Sequence, residues 1–282
     1  MILVDAHVHI YDCFDLEIFF DSAYFNFKSA AERLGHGNEF SGVLLLAETS
    51  KDNWFQHLSE YADGKDLPDG RTAGEWKFYH TDENCSLFAN SMKAQNLFII
   101  AGRQIMTSEG LEVLSLISSD VYEDGISIKK AVKEVYETGS IPVLPWGVGK
   151  WLGNRGKIIS DLILSENSYP VNLGDNSGRP VFWKRPMLFN IAERNSISIL
   201  PGSDSLPYVS DQMKTGSYGF WINRAIDRQR PAHTLKLILV DEKSTIFPYG
   251  HPESIIRFFR NQIRMQLKKW YPKSPKPPTT SG

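Results

Sequence analysis

The stretch Asp5-Ala6-His7-Val8-His9 is the part of this chain best suited to chemistry. It ends an apolar run, residues 2–9, that reads as a buried first strand. Side chains two apart on a strand point to one side, so the imidazoles of His7 and His9 enter one space. Two neutral imidazoles converging in this way hold a divalent metal when a third carboxylate or imidazole completes the set. Asp204 is the candidate for that third place. It follows Leu200-Pro201-Gly202-Ser203, a late strand running into a glycine turn. There it can ligate metal or take a proton from a bound water, and it can equally serve as a turn cap.

Other charged residues gather at strand ends. Glu48 closes the second apolar run, residues 42–47, and is a candidate ligand or base. Asp175 lies in the polar segment Asn172-Leu173-Gly174-Asp175-Asn176-Ser177-Gly178-Arg179-Pro180, as a fourth ligand or general base. Arg179 in that segment, and Arg103 elsewhere, offer planar guanidinium forks for an anionic substrate. Lys150 and Arg155 belong to a glycine-rich basic loop, Gly147-Val148-Gly149-Lys150 and Asn154-Arg155-Gly156-Lys157, that suits phosphate or carboxylate or else simple turn chemistry. His80, after the aromatic run Trp76-Lys77-Phe78-Tyr79, is a further residue that would reach the site.

Elements that would position these groups are visible in the hydropathy pattern. Short apolar runs at residues 2–9, 42–47, 97–102, 111–117, 141–145, 170–173, 197–200 and 235–240 read as strands. Residues 51–62, 127–137 and 253–270 carry apolar side chains at helical spacing. Continuous apolar strands alternating with helices predict a parallel sheet covered on both faces. The fold class is therefore α/β, a TIM-like (β/α) barrel, in which strand ends at one face carry the site. Residues 1–270 form one domain. Residues 271–282, rich in Pro, Lys, Ser and Thr, form a disordered tail.

The chain has 282 residues, 41% of them apolar and 23% charged, enough to bury a full core and unlike a disordered chain. A net charge of -2 gives no basic excess, so a small-molecule substrate rather than nucleic acid is the expected partner. Cys13 and Cys85 are the only cysteines, too few for a disulfide scaffold. No secretory signal and no apolar run long enough to span a bilayer is visible, which predicts a cytoplasmic protein. The oligomeric state is not fixed by the sequence.

Asp5-Ala6-His7-Val8-His9 and Gly202-Ser203-Asp204 resemble the opening and closing motifs of amidohydrolase-like metal hydrolases, and more narrowly of the polymerase and histidinol phosphatase family. Residues 101–107 with 109–116, and residues 141–149, resemble that family's later strands. The resemblance implies a distorted seven-stranded barrel, bound metals and hydrolysis of phosphate esters. Four positions depart from the family. Gln104 replaces a ligating Glu, Trp146 a His before Pro, Thr49 a His after the second strand, and Leu206 a second His after the final Asp. His7, His9 and Asp204 remain of the implied ligand set, so at most one divalent metal (Zn, Mn or Fe) is expected. The function expected is metal-dependent hydrolysis of a small anionic substrate, a phosphate ester first. A metal-free lactonase-like hydrolase, and a barrel that only binds a small molecule or a protein, stay open as alternatives. Truncation after Trp270 is expected to leave Tm nearly unchanged in a thermal melt, because the tail offers little apolar surface to offset the entropy of ordering.

Overall fold

The computed structural model describes residues 1–165, 169–241 and 245–270. The tail 271–282 lies outside the described residues. The first strand is β1 (Ile2–Val8), buried along its whole length, and α1 (Leu16–Arg33) follows it. Asp15 caps that helix by accepting from Ile18 N–H at 3.0 Å, and Leu16, Phe19, Phe20, Ala23, Phe27, Ala30 and Ala31 form its buried stripe. Next come β2 (Ser41–Leu46), α2 (Trp54–Ala62), and an antiparallel meander of β3 (Trp76–His80), β4 (Ser86–Ser91) and β5 (Asn96–Ile100). The hairpin β6 (Gly102–Met106) and β7 (Glu112–Leu116) leads to α3 (Ile128–Glu137), capped by Ser127, and to β8 (Ile141–Pro145). The chain continues through α4 (Gly153–Leu164), β9 (Asn172–Asn176), α5 (Met187–Arg194), β10 (Ile199–Gly202) and β11 (Gly219–Ile222). It ends in α6 (Pro231–Val240), β12 (Phe247–Tyr249) and α7 (Ile255–Trp270).

These strands make two mixed sheets, ordered β12-β11-β1-β2-β5-β4-β3 and β10-β9-β8-β7-β6. The closed TIM-like barrel of seven strands expected from the sequence is not formed. Only β1-β2-β5 and β8-β9-β10 run parallel. A (β/α) barrel needs a crossover helix between successive parallel strands. Here the meander and the hairpin insert antiparallel strands without such helices, and β11 pairs antiparallel with β1. The sheets meet along two seams held by isolated hydrogen bonds rather than by a ladder. At one, Asp204 N–H donates to His7 O at 2.9 Å; at the other, Glu48 N–H donates to Gly102 O at 3.1 Å and Gln104 N–H to Glu48 O at 2.8 Å. Each seam requires a glycine. A β-carbon at Gly202 would lie 2.3 Å from His7 N, and one at Gly102 would lie 2.2 Å from Leu46 O.

Three apolar clusters hold the layers. One packs α1 and α2 on the larger sheet, with Phe19, Phe20, Phe27, Leu44 and Trp76. A second lies between the sheets, with Ile2, Val4, Val43, Ile100, Leu114, Val143 and Phe220. A third packs α3, α4 and α5 on the smaller sheet. Residues 235–240, read as a strand from the sequence, belong to α6. Pro231 begins that helix, and the Glu83 carboxylate, remote in sequence, accepts from Ala232 N–H at 2.8 Å and His233 N–H at 2.7 Å. A cap supplied from that distance leaves no local signal. Among the described residues, no helix is long and apolar enough to cross a membrane.

Asp5 fixes the first seam. It is fully buried, and its carboxylate accepts from Ser203 N–H at 2.8 Å, Gly216 N–H at 2.8 Å and His7 N–H at 3.3 Å. Burial pushes its carboxyl up to about 6, against the opposing pull of those donors. The native state therefore binds a proton between about pH 4 and 6 that the unfolded chain has released, so stability falls as pH rises through that window. Asp5→Asn removes this titration. Urea denaturation is expected to show wild type gaining on Asp5→Asn, by up to about 3 kcal/mol, as pH falls from 6 to 4. A constant difference across that range would contradict the assignment.

Candidate metal centre

His7 and His9 sit at the end of β1, both 4% exposed. The register of β1 against β2 shifts between Asp5 and Val8, yet the two rings still converge, with Nε2 atoms 3.0 Å apart. Asp204 Oδ1 lies 3.6 Å from each Nε2, and Gln104 Oε1 lies 3.2 Å from His7 Nε2. The ligand atoms of His7, His9 and Asp204 all fall within 4.8 Å of one another. Donors placed at roughly 2.0–2.1 Å around a tetrahedral ion stand roughly 3.3 Å apart, so this spacing fits a single dication. His7, His9 and Asp204, expected to share one site, are brought together here as a possible metal-binding group.

Electrostatics favour the ligating protonation states. Burial lowers the His7 imidazole below its ordinary range, opposed by the Asp204 carboxylate, so the ring is neutral near pH 7. Burial would raise Asp204, but His7 and His9 beside it, together with Lys214, hold its carboxyl well below the usual carboxylate range. Its other oxygen accepts from Asn176 Nδ2–H at 2.8 Å, while the same amide donates to Trp146 O at 2.7 Å. Asp204 adopts a left-handed backbone conformation, φ 46°, at the turn after β10. One feature falls short of a complete site: His9 Nδ1 is buried with no hydrogen-bond partner among the described residues, whereas ligating imidazoles usually have that nitrogen anchored.

The pair opens onto a cavity of roughly 390 Å³ whose walls include His9, Tyr11, Gln104, Glu112, Lys150 and Lys214, besides Asp204. Trp146 and Leu206, both at positions where the family resemblance implies histidine, line it too. Of the anion-binding candidates, Lys150 reaches this cavity, where its Nζ donates to Glu112 Oε1. The others are engaged in local structure. Arg103 pairs with Glu48 at 3.3 Å and donates to Asp52 O at 2.9 Å. Arg155 donates to Gly149 O at 2.9 Å. Arg179 grips Asp175 with two hydrogen bonds, at 2.9 and 2.8 Å, and Tyr218 O–H donates to that same carboxylate at 2.7 Å.

Glu48 and Asp175 are therefore satisfied groups beside the site rather than open bases within it. Glu48 accepts from Phe55 N–H at 2.7 Å at the start of α2; burial raises its carboxyl, and that donor and Arg103 oppose the shift. His80 bonds Asp63 at 2.8 Å on the surface, apart from the metal group. Tyr11, Glu112, Lys214 and Asn176 were not singled out in the sequence. Only Tyr11 and Asn176 had a signal, through their closeness to His9 and Asp175.

No protein-family model matches the chain, and no curated protein sequence matches it. Among the solved structures that match the chain are two at low identity. PsfC from Pseudomonas syringae PB-5123 is 14% identical, with a TM-score of 0.48 over 94% of this chain and 98% of that one. The lesion-specific endonuclease PfuEndoQ from Pyrococcus furiosus is 11% identical, with a TM-score of 0.51 over 88% of this chain and 58% of that one. The chain thus spans little more than half the endonuclease, and at these identities the likeness is one of fold alone.

Glu48→Gln is expected to lower stability by about 1–3 kcal/mol, through the weakened hold on Arg103, while metal content stays unchanged. Denaturant melts and elemental analysis check this; loss of metal on the substitution would make Glu48 a ligand after all.

Proposed function

We propose that this chain is a metal-dependent hydrolase of a small phosphate ester, with one divalent ion (Zn, Mn or Fe) held by His7, His9 and Asp204. The observation that carries the reading is the convergence of three ligand atoms within 4.8 Å, at the edge of a cavity large enough for a small substrate. His7, His9 and Asp204 would hold the dication, which would supply a Lewis acid and activate water for attack. The residues do the rest. Asp204, held well below the usual carboxylate range, serves as an anionic ligand rather than as a general base. Asn176 fixes the rotation of that carboxylate. Tyr11 keeps its phenol proton, raised by burial and by the neighbouring Asp204 charge, and offers the substrate a donor. Gln104 presents a neutral oxygen where the resembling family carries a carboxylate, which limits the site to one weakly held ion. The similar fold of an endonuclease is compatible with a phosphate ester substrate.

A second reading has its own support. Trp146 and Leu206 turn apolar side chains into the cavity where the resemblance implies ligands, which favours a site that binds a small molecule without turning it over. Metal content and turnover separate the two. The purified chain is expected to bind at most one Mn²⁺ or Zn²⁺, and His9→Ala to lose it along with at least about 100-fold in hydrolysis of an aryl phosphate. Two or three tightly bound ions per chain, or turnover that survives both chelation and His9→Ala, would refute the mechanism. Binding of metal with no hydrolysis of phosphate esters would favour the second reading.

A further inference from the structure

The cavity over His9 and Asp204 contains a lysine whose ammonium has an ion pair but no hydrogen bond among the described residues. Lys214 lies in a short 3-10 turn, Val209–Lys214, between β10 and β11, and is 7% exposed. Its ammonium carries three donors, yet it makes no hydrogen bond to a described residue. Its nearest carboxylate oxygen is Glu253 Oε1, at 3.8 Å. That oxygen is already engaged, accepting from Asn261 Nδ2–H at 3.0 Å and facing Arg257 Nε at 3.3 Å. Glu253 itself is pinned: its N–H donates to Ser177 O at 2.7 Å, and its O accepts from Val181 N–H at 3.1 Å. It is not free to close the gap to Lys214.

Burying an ammonium without hydrogen-bond acceptors is costly, and a lysine kept in that state beside a cavity is placed for a ligand's oxygen. The surrounding charges indicate which kind. Lys150 and Lys214 share the cavity with Asp204, Glu112 and Glu253. This leaves one negative charge uncompensated, which a dication at His7, His9 and Asp204 turns into one positive charge. Lys150 is occupied by Glu112, so Lys214 is the cation with donors to give. Asn261, which donates to Glu253, lines the same cavity.

We propose that Lys214 is the anion-recognition residue of this cavity and binds the phosphoryl oxygens of the substrate. The proposal rests on the phosphate-ester reading for its choice of anion, and it deepens that reading by naming the group that selects the substrate. The arginines favoured by sequence do not fill this role, because each is spent on a protein acceptor.

The test uses inorganic phosphate as the probe and calorimetric titration as the readout, on the full chain with and without one equivalent of Mn²⁺. Lys214→Met keeps the length of the side chain and leaves Glu253 with Arg257 and Asn261, so circular dichroism and Mn²⁺ content are expected to match wild type. Phosphate binding is expected to weaken about tenfold or more in Lys214→Met, and to stay within about threefold of wild type in Lys214→Arg. Unchanged phosphate affinity in a folded Lys214→Met chain would overturn the proposal. So would absence of phosphate binding to wild type under both conditions, or acetate displacing phosphate at equal concentration. Hydrolysis is not the readout: phosphate binding that depends on Lys214 in a chain without turnover would sink the hydrolase reading and leave this assignment standing.

Discussion

The carboxylate of Asp5 is the constraint on which the rest of the site depends. Its three backbone donors come from β1 itself, from the turn after β10 and from the approach to β11. The bond from Ser203 N–H draws the Gly202–Asp204 turn against β1, and Asp204 N–H then reaches His7 O. Two candidate ligands far apart in the chain are thereby set by backbone hydrogen bonds before either side chain is considered. A buried carboxylate is a costly way to join strands unless its oxygens are filled, and here charge-assisted N–H donors fill them. The glycine at 202 is the steric counterpart, since any side chain there would hold β10 away from His7.

The same physics explains why the sheets approach without merging. Gly102 and Gly202 permit backbone contact at two seams, but the neighbouring strands diverge there instead of continuing as ladders. The pattern of apolar runs announced most of the strands, because a fully buried strand is apolar throughout whatever its partners are. Strand direction was not legible in that way. The meander from β3 to β5 and the hairpin from β6 to β7 carry the same kinds of side chain that parallel strands would, so alternation with helices was read as a barrel. Nothing in the apolar runs marks α1 as a helix although its aromatic stripe is long, and α6 reads as a strand because its cap, Glu83, lies far away in sequence.

At the site, legibility divides by the kind of information each residue needs. His7 and His9 were readable because their pairing is local, two residues apart on one strand. Asp204 was readable as the end of a strand. The roles of Arg103, Arg179, Asp175 and Glu48 depend on partners, and a sequence displays charge without showing what neutralises it. Arg179 finds Asp175 four residues away, and Arg103 finds Glu48 across the second seam. Lys214 is the converse case. It sits in an unremarkable polar stretch, and its interest comes from what it lacks, which only the packing of Glu253, Arg257 and Asn261 around it reveals.

The positions where the resembling family carries ligands hold other groups in this chain, and two of those groups still bear on the site. Trp146 contributes no ligating side chain, but its carbonyl accepts from Asn176, whose amide also holds Asp204 Oδ2. The residue after β8 thus acts through its main chain, which anchors the amide that holds Asp204. Gln104 keeps an oxygen 3.2 Å from His7 Nε2, so the donor geometry around that nitrogen survives while the negative charge does not. A dication held there would have less compensating charge around it than a carboxylate at residue 104 would give. It would keep more of its own charge for a ligand in the cavity, so a weaker hold on the ion and a stronger pull on an anion would both follow from the neutral amide.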